Sequence, residues 1–314
     1  MLLLKNKRWL NVVLFLLYLG AFLAALAALG LLLYARVWVP RRIGRILAEA
    51  HKVSWIPDQA PFEKRILHYG RPGVSYLIRR LETGEAGLIE VRCLGRSDDA
   101  RAVLTLILLL DGRLRATESM KATAAEHLGE LGDRSAVSAL LACVESSTYD
   151  MLLWNAIGAL GKLGDERAVR PLIRVLLNAD SLEPRRRVGL ALARIGASAV
   201  DPLIAELGND DFSVVYHCAC SLAQMDPAPT GRLIATLGSP SQSKRVRRQE
   251  GIALALGMIG DEAALVPLVN LIKGTDNYRD YPQAWEAVAK ITGTDFRYDV
   301  RRMEEHVQGR SGRP

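Results

Sequence analysis

The sequence predicts an all-α protein, a right-handed α-α superhelix preceded by one transmembrane helix. Three observations predict it. A five-residue stamp recurs along the second half of the chain at a near-constant interval. The apolar residues around each stamp fall at helical spacing, and a 26-residue run without a charge lies close to the N-terminus, from Leu10 to Ala35.

In chain order, residues 1–8 form a basic tail carrying Lys5, Lys7 and Arg8. Residues 9–35 form the span, with Asn11 its only clearly polar side chain. At about 1.5 Å per residue a helix of that length crosses a hydrocarbon core of about 30 Å with some tilt. Trp9 and Trp38 flank it, where aromatic rings favour the bilayer interface. A cleaved signal peptide has an apolar core of about 7–15 residues. Here the apolar run continues past the cleavage-like Ala25-Leu-Ala27, so the expectation is an uncleaved anchor.

Residues 36–57 form a basic juxtamembrane segment. Arg36, Arg41, Arg42, Arg45 and Lys52 are offset by one acid, Glu49. Ile43, Ile46, Leu47, Ala50 and Val53 fall at helical spacing, with the basic residues largely opposite. Two readings remain open for it: a helix lying on an anionic membrane face, or a solvated linker to the first repeat, bracketed by Pro40 and Pro57. Residues 58–112 hold two divergent repeats, marked by Ile66-Leu-His-Tyr-Gly70 and Val91-Arg-Cys-Leu-Gly95. The apolar run Val103–Leu110 is too short to span a bilayer and reads as a buried helix.

Residues 113–293 carry the regular repeats. The stamp reads Leu128-Gly-Glu-Leu-Gly132, Leu160-Gly-Lys-Leu-Gly164, Leu192-Ala-Arg-Ile-Gly196, Leu222-Ala-Gln-Met-Asp226, Leu256-Gly-Met-Ile-Gly260 and Val288-Ala-Lys-Ile-Thr292, at steps of 32, 32, 30, 34 and 32. Such a period means stacked copies of one two-helix unit that cannot bury its apolar faces alone. Each stamp closes a first (A) helix, expected near 118–131, 150–163, 185–195, 212–225, 245–259 and 282–292. The B helices follow near 134–145, 166–178, 198–207, 228–237 and 262–273. The terminal stamp Gly suits a left-handed helix end. Asp133, Asp165 and Asp261 come next and cap the following helix. Pro171, Pro202 and Pro267 fall in its first turn. The small second stamp residue lets the partner helix of the same hairpin approach closely. Residues 294–308 break the period and read as a capping helix, with a disordered tail at 309–314.

The stamp followed by the pattern Ala168-Val-Arg-Pro-Leu-Ile173 resembles the HEAT repeats of the phycobilisome-lyase-like subgroup, over residues 113–308 well and 58–112 poorly. The resemblance implies a HEAT/ARM-type solenoid. Most such proteins are protein-binding scaffolds; a few are bilin lyase subunits or deoxyhypusine hydroxylases. The hydroxylase activity depends on His-Glu pairs that ligate two irons. The five histidines here precede Lys52, Tyr69, Leu128, Cys218 and Val307, so that metal site is not expected.

The chain has 41 Lys plus Arg and 34 Asp plus Glu, a net charge of +7. Residues 1–57 hold eight of the basic residues and one acid, so they account for all of it. The remainder is neutral, which argues against a nucleic-acid-binding domain. Three basic residues precede the span and five follow it, which places the solenoid in the cytoplasm. Four cysteines agree with a reducing compartment.

Arg134, Arg167, Arg170 and Arg174 lie on successive B helices and form the candidate partner-binding surface; solvent-facing arginine is the plain alternative. Arg185-Arg186-Arg187 and Lys244-Arg245-Val-Arg247-Arg248 form a second basic candidate, balanced by Glu183 and Glu250. His217-Cys-Ala-Cys220 reads as core thiols, because residues one and two apart on a helix do not share a face. Tyr149 with Trp154, and Tyr278 with Tyr281 and Trp285, are either interface anchors or edge packing between repeats. No catalytic residue, metal or cofactor is assigned. The expected function is a membrane-anchored scaffold or adaptor for a protein partner. The alternatives are an accessory subunit of a membrane complex and a lyase-like or chaperone subunit acting on a cofactor-bearing protein.

Overall fold

A computed structural model describes residues 2–53, 59–179, 181–238, 245–275 and 278–311. Side chains are described from residue 15 onward, apart from Arg245, Tyr278, Arg310 and Ser311 at segment ends. Pro57, Lys244, Tyr278 and the flanking groups Lys5, Lys7, Arg8 and Trp9 therefore lie outside the described side chains. Every element among the described residues is helical. The chain forms two compact units, residues 1–120 and 121–314.

The first unit begins with α1 (Leu2–Leu33), which continues through a π-helical turn, Tyr34–Trp38, into α2 (Val39–Ala50). Pro40 explains the turn. It has no N–H to give to the carbonyl of Arg36, and the Val39 N–H reaches back to the Tyr34 carbonyl instead. Large apolar side chains of α1, Phe15 to Leu33, point into open space. Helices α3 (Ala60–Leu67), α4 (Gly70–Glu82), α5 (Leu88–Gly95) and α6 (Ala100–Leu110) complete the unit.

Helix α2 is neither a surface-lying nor a linker helix. Val39, Ile43, Ile46, Leu47 and Ala50 are each at most 5% exposed, and α2 packs on α3 and α4. Gly73 on α4 allows this approach: a Cβ there would sit 3.3 Å from Ile43 Cδ1. The apolar stripe is covered by protein, so it is not available to lipid. The basic side chains Arg36, Arg41, Arg42, Arg45 and Lys52 stay exposed.

The second unit is a solenoid of antiparallel helix pairs. The A helices are α7 (Glu118–Leu131), α9 (Asp150–Leu163), α11 (Leu182–Ile195), α13 (Phe212–Ala223), α15 (Arg245–Ile259) and α17 (Pro282–Thr292). The B helices are α8 (Val137–Ser146), α10 (Val169–Asn178), α12 (Ala197–Glu206), α14 (Thr230–Leu237), α16 (Leu265–Lys273) and α18 (Val300–Ser311). The first stamp residues Leu128, Leu160, Leu192, Leu222, Leu256 and Val288 are all fully buried. The stamp glycines Gly132, Gly164, Gly196 and Gly260 end their helices at positive φ, and Gly293 does the same one residue past its stamp. Asp133, Asp165 and Asp261 each accept a backbone N–H two residues on, at 2.9 Å, and open a short 3₁₀ turn before the B helix.

Three expectations are corrected. The small second stamp residue does not serve its own hairpin. A Cβ on Gly129, Gly161 or Gly257 would lie 2.6, 2.8 or 2.8 Å from the Cα of Ala159, Ala191 or Ala287, each in the next A helix. Glycine there sets the spacing between neighbouring repeats. Pro202 lies inside α12 instead of its first turn, because no Asp-capped 3₁₀ turn follows Gly196 and the helix starts at Ala197. The final helix starts at Val300, after a turn in which Arg297 and Tyr298 have positive φ, and runs to Ser311. Its buried Met303 and Val307 close the end of the stack with Phe296.

Candidate functional site

On the B-helix edge of the second unit, Arg134, Arg167, Arg170 and Arg174 are all exposed and belong to two successive repeats. Their surroundings differ. Arg167 is held by the carboxylate that caps its own helix: Nε donates to Asp165 Oδ1 and Nη2 to Asp165 Oδ2, both at 2.9 Å. The same Nη2 reaches the carbonyl of Arg134 in the preceding repeat, at 3.3 Å. These bonds hold the Asp165 carboxyl down to about 2. Arg174 donates to Glu145 on α8 at 2.9 Å. For Arg134 and Arg170 the described residues offer no carboxylate within ion-pair distance.

The pairing continues along the edge. Arg232 on α14 makes a two-pronged contact with Asp201 on α12, at 2.7 and 3.0 Å. Lys273 on α16 meets Glu304 on α18 at 2.5 Å. Three ion pairs thus bridge successive B helices, whereas Arg134 and Arg170, like Arg301 and Arg302 on α18, have no carboxylate within ion-pair distance among the described residues. Four A-helix arginines are also engaged, whereas the buried Nε of Arg248 has no hydrogen-bond partner among the described residues. Arg186 and Arg187 pair with Glu183, Arg185 with Asp211 at 2.8 Å, and Arg247 with Asp210. Arg187 also lies over the Trp154 ring in the preceding repeat, at 4.5 Å. Tyr281 and Trp285 are buried, so they pack the repeat edge.

Of the two thiols of this cluster, Cys218 occupies a core position and Cys220 is half-buried. Cys218 is buried, and desolvation pushes it up to about 12. Cys220 lies against Met258 at 3.8 Å, and the His217 ring nitrogen Nδ1 is bonded to the Ser213 carbonyl at 2.7 Å. Among the described residues no group of three His, Cys, Asp or Glu converges on a metal position.

Sequence reasoning noted Glu250 only as a balancing charge. It lines a cleft of about 220 Å³ with Phe212, Arg247 and Gln283. Burial raises its carboxyl to about 7, against the opposing effect of backbone N–H groups of Gln283 and Ala284. The Gln283 N–H donates to it at 2.9 Å, so Glu250 acts as a cross-repeat cap on the first turn of α17.

The first unit contains a buried charge network. Glu63 contacts Arg92 and Arg96, and Glu90 accepts from Arg80 Nε at 3.0 Å and from the Gly87 N–H at 2.9 Å. Gln59 joins Arg92, at 3.1 Å, to the carbonyl of Val53 at 2.9 Å. Both glutamates are almost fully buried and both are paired, which fixes the register of α3, α4 and α5. A second device matches the Asp165–Arg167 pair. Asp99 caps α6, binds Arg101 at 3.0 and 2.6 Å, and Arg101 reaches the Arg71 carbonyl at 3.4 Å. The signal in sequence is Asp followed two residues later by Arg at the start of a B-type helix.

Two stretches of the chain match known repeat families. Residues 105–193 match the family of HEAT repeats, and residues 249–274 match the PBS lyase HEAT-like repeat. No curated protein matches the chain. Among solved structures, the complex of CpcE and CpcF of phycocyanin lyase from Nostoc sp. PCC7120 is 21% identical over 75% of this chain and 94% of that one, with a TM-score of 0.39. Human deoxyhypusine hydroxylase in complex with glycerol is 18% identical over 83% of this chain and 99% of that one, at 0.31. Kap121p bound to Pho4p is 16% identical over 80% of this chain and 31% of that one, at 0.31.

Proposed function

We propose that the chain is a membrane-anchored HEAT-repeat adaptor, held by α1 and binding a protein partner through its second unit. The observation that carries this reading is the surface of α1. From Phe15 the helix is long and apolar enough to cross a bilayer, and none of its most apolar window is buried. Phe15, Tyr18, Phe22 and Leu31 are each at least 60% exposed. An apolar surface of this extent needs a lipid or protein covering. Tyr34 and Trp38 stack at the end of the run with ring centroids 5.2 Å apart, and Arg42 lies over the Trp38 ring at 5.0 Å. Aromatic and basic side chains in that position suit a bilayer interface. The excess of basic residues on this side of the span favours a cytoplasmic location for both units.

For the partner, the edge bearing Arg134, Arg167, Arg170 and Arg174 is the preferred docking surface. Its support is that Arg134 and Arg170 have no carboxylate within ion-pair distance among the described residues, whereas the neighbouring Arg174, and Arg232 and Lys273 further along, are paired. An acidic partner segment fits that surface. Photo-cross-linking in intact membranes tests the reading. A cross-linking residue placed at Arg170 is expected to capture one protein reproducibly, and one placed at Lys162 on the A-helix edge is not. Equal capture at both positions, or capture abolished by neither Arg134→Glu nor Arg174→Glu, contradicts it.

A further inference from the structure

The two units differ in charge. Residues 1–120 hold 18 Lys plus Arg against 10 Asp plus Glu, whereas residues 121–314 hold 23 against 24. Within the first unit the excess is not spread evenly. On α4, Arg71, Ser75 and Arg79 are spaced at i, i+4 and i+8 and share one face. That face borders a cleft of about 500 Å³ whose other wall is Arg36 and Pro40, at the point where α1 passes into α2. Arg36, Arg71 and Arg79 are exposed, and among the described residues no carboxylate pairs with any of them. Arg101 lines the cleft as well, but its charge is taken by Asp99. Nη1 of Arg101 donates to Ser75 Oγ at 2.9 Å, so it forms a fixed floor, and although Asp99 also feels the charge of Arg71, no ion pair holds Arg71.

Three guanidinium groups gathered around one cleft repel each other unless an anion completes the set. Planar, multidentate donors of this kind match phosphate oxygens. The position of the cleft decides which phosphate. Arg36 follows Leu33 by three residues, about 4.5 Å along the helix, beside the aromatic pair Tyr34 and Trp38. With α1 in a bilayer this is the depth of the headgroup layer, where an anionic lipid presents its phosphodiester.

We propose that the cleft between the start of α2 and the Arg71–Arg79 face of α4 binds the phosphate of an anionic phospholipid, held by Arg36, Arg71 and Arg79. This rests on the reading of α1 as a membrane anchor. The bound headgroup fixes how the first unit sits on the membrane surface, a task that the buried stripe of α2 does not perform.

The test uses the full chain, purified in mild detergent, with native mass spectrometry after addition of phosphatidylglycerol, phosphatidylcholine or inorganic phosphate. Wild type is expected to retain phosphatidylglycerol. The Arg71→Gln/Arg79→Gln variant is expected to retain about tenfold less. Arg113→Gln/Arg115→Gln, with the same charge change at exposed positions outside the cleft, is expected to behave as wild type. Equal retention by the two variants, equal retention of phosphatidylcholine, or full displacement by an equal concentration of inorganic phosphate overturns the proposal. Flotation separates the two levels of failure. A chain that floats with phosphatidylcholine vesicles yet shows no lipid preference loses only the headgroup site. A chain that floats with no vesicle loses the anchor and the site together.

Discussion

Gly161 on α9 faces the backbone of Ala191 on α11 so closely that a Cβ added to it would lie 2.8 Å from the Ala191 Cα. Gly158, one turn earlier, has nothing within 4 Å of the same hypothetical atom. The two glycines share a helix and should respond to alanine with opposite signs. Gly158→Ala gains helix propensity and should stabilise by about 0.5–1 kcal/mol. Gly161→Ala gains the same propensity but must push two repeats apart, so a net loss of about 1–3 kcal/mol is expected. Urea denaturation of the two variants side by side checks the contrast.

Asp165 caps α10, clamps Arg167 and thereby ties it to the Arg134 carbonyl of the repeat before. Asp165→Ala should cost about 1–2 kcal/mol through loss of the cap alone. The acid limb of stability should shift with it. The Asp165 carboxyl is held near 2 in the folded chain, below its ordinary value of 3.8. Its contribution is present above pH 4 and disappears as the pH falls through about 2. Acid unfolding followed by circular dichroism should therefore begin at higher pH in the variant.

Glu250 titrates in the opposite sense. Its folded value of about 7 lies above the ordinary 4.5, so the folded chain binds this proton more tightly than the unfolded one. Stability from this group is fullest below pH 4.5 and falls as the pH rises through 7. Glu250→Gln keeps a carbonyl for the Gln283 N–H and removes the charge. The variant should match wild type near pH 5 and exceed it at pH 8 by on the order of 1–2 kcal/mol. Parallel pH dependences for both proteins would show that the group is not buried as described.

Helix α2 changes where the chain can be shortened. Removing residues 1–33 leaves in place every buried side chain of the first unit among the described residues. Removing residues 1–57 strips out Val39, Ile43, Ile46, Leu47 and Ala50. At about 1.5–3 kcal/mol for each large side chain, the second cut should unfold the first unit and expose its apolar faces. The shorter truncation should give a soluble, cooperatively melting helical protein and the longer one an aggregating or partly unfolded one. Equal melting behaviour would mean that α2 does not belong to that core.

The sequence made much of this legible, for a physical reason. Every stamp places one fully buried residue, and three of them, those ending in Gly132, Gly164 and Gly260, add a close-approach glycine and a terminal glycine at positive φ, constraints local to a helix end. That is why the A helices at 118–131, 150–163, 245–259 and 282–292 were readable to the residue. Periodicity cannot say what covers an apolar stripe. Ile43, Ile46 and Leu47 would show the same spacing against lipid or against α4, and only the fold decides. The same limit applied to Gly161, whose size was plainly important but whose neighbour 30 residues away was not. The candidate surface was harder still. The spacing of Arg134, Arg167, Arg170 and Arg174 put them on one edge, but whether each meets a carboxylate depends on partners such as Glu145 in another repeat. Arg71 and Arg79 went unmarked because the cleft they line is formed with Arg36, thirty-five or more residues away.

The most direct test of the central claim is the intact mass of the protein recovered from alkali-washed membranes. An uncleaved anchor predicts that the chain stays with the membrane pellet at its full 34.5 kDa, Leu2–Leu33 included. A shortened species lacking that helix, or a full-length chain released into the supernatant, would contradict the account.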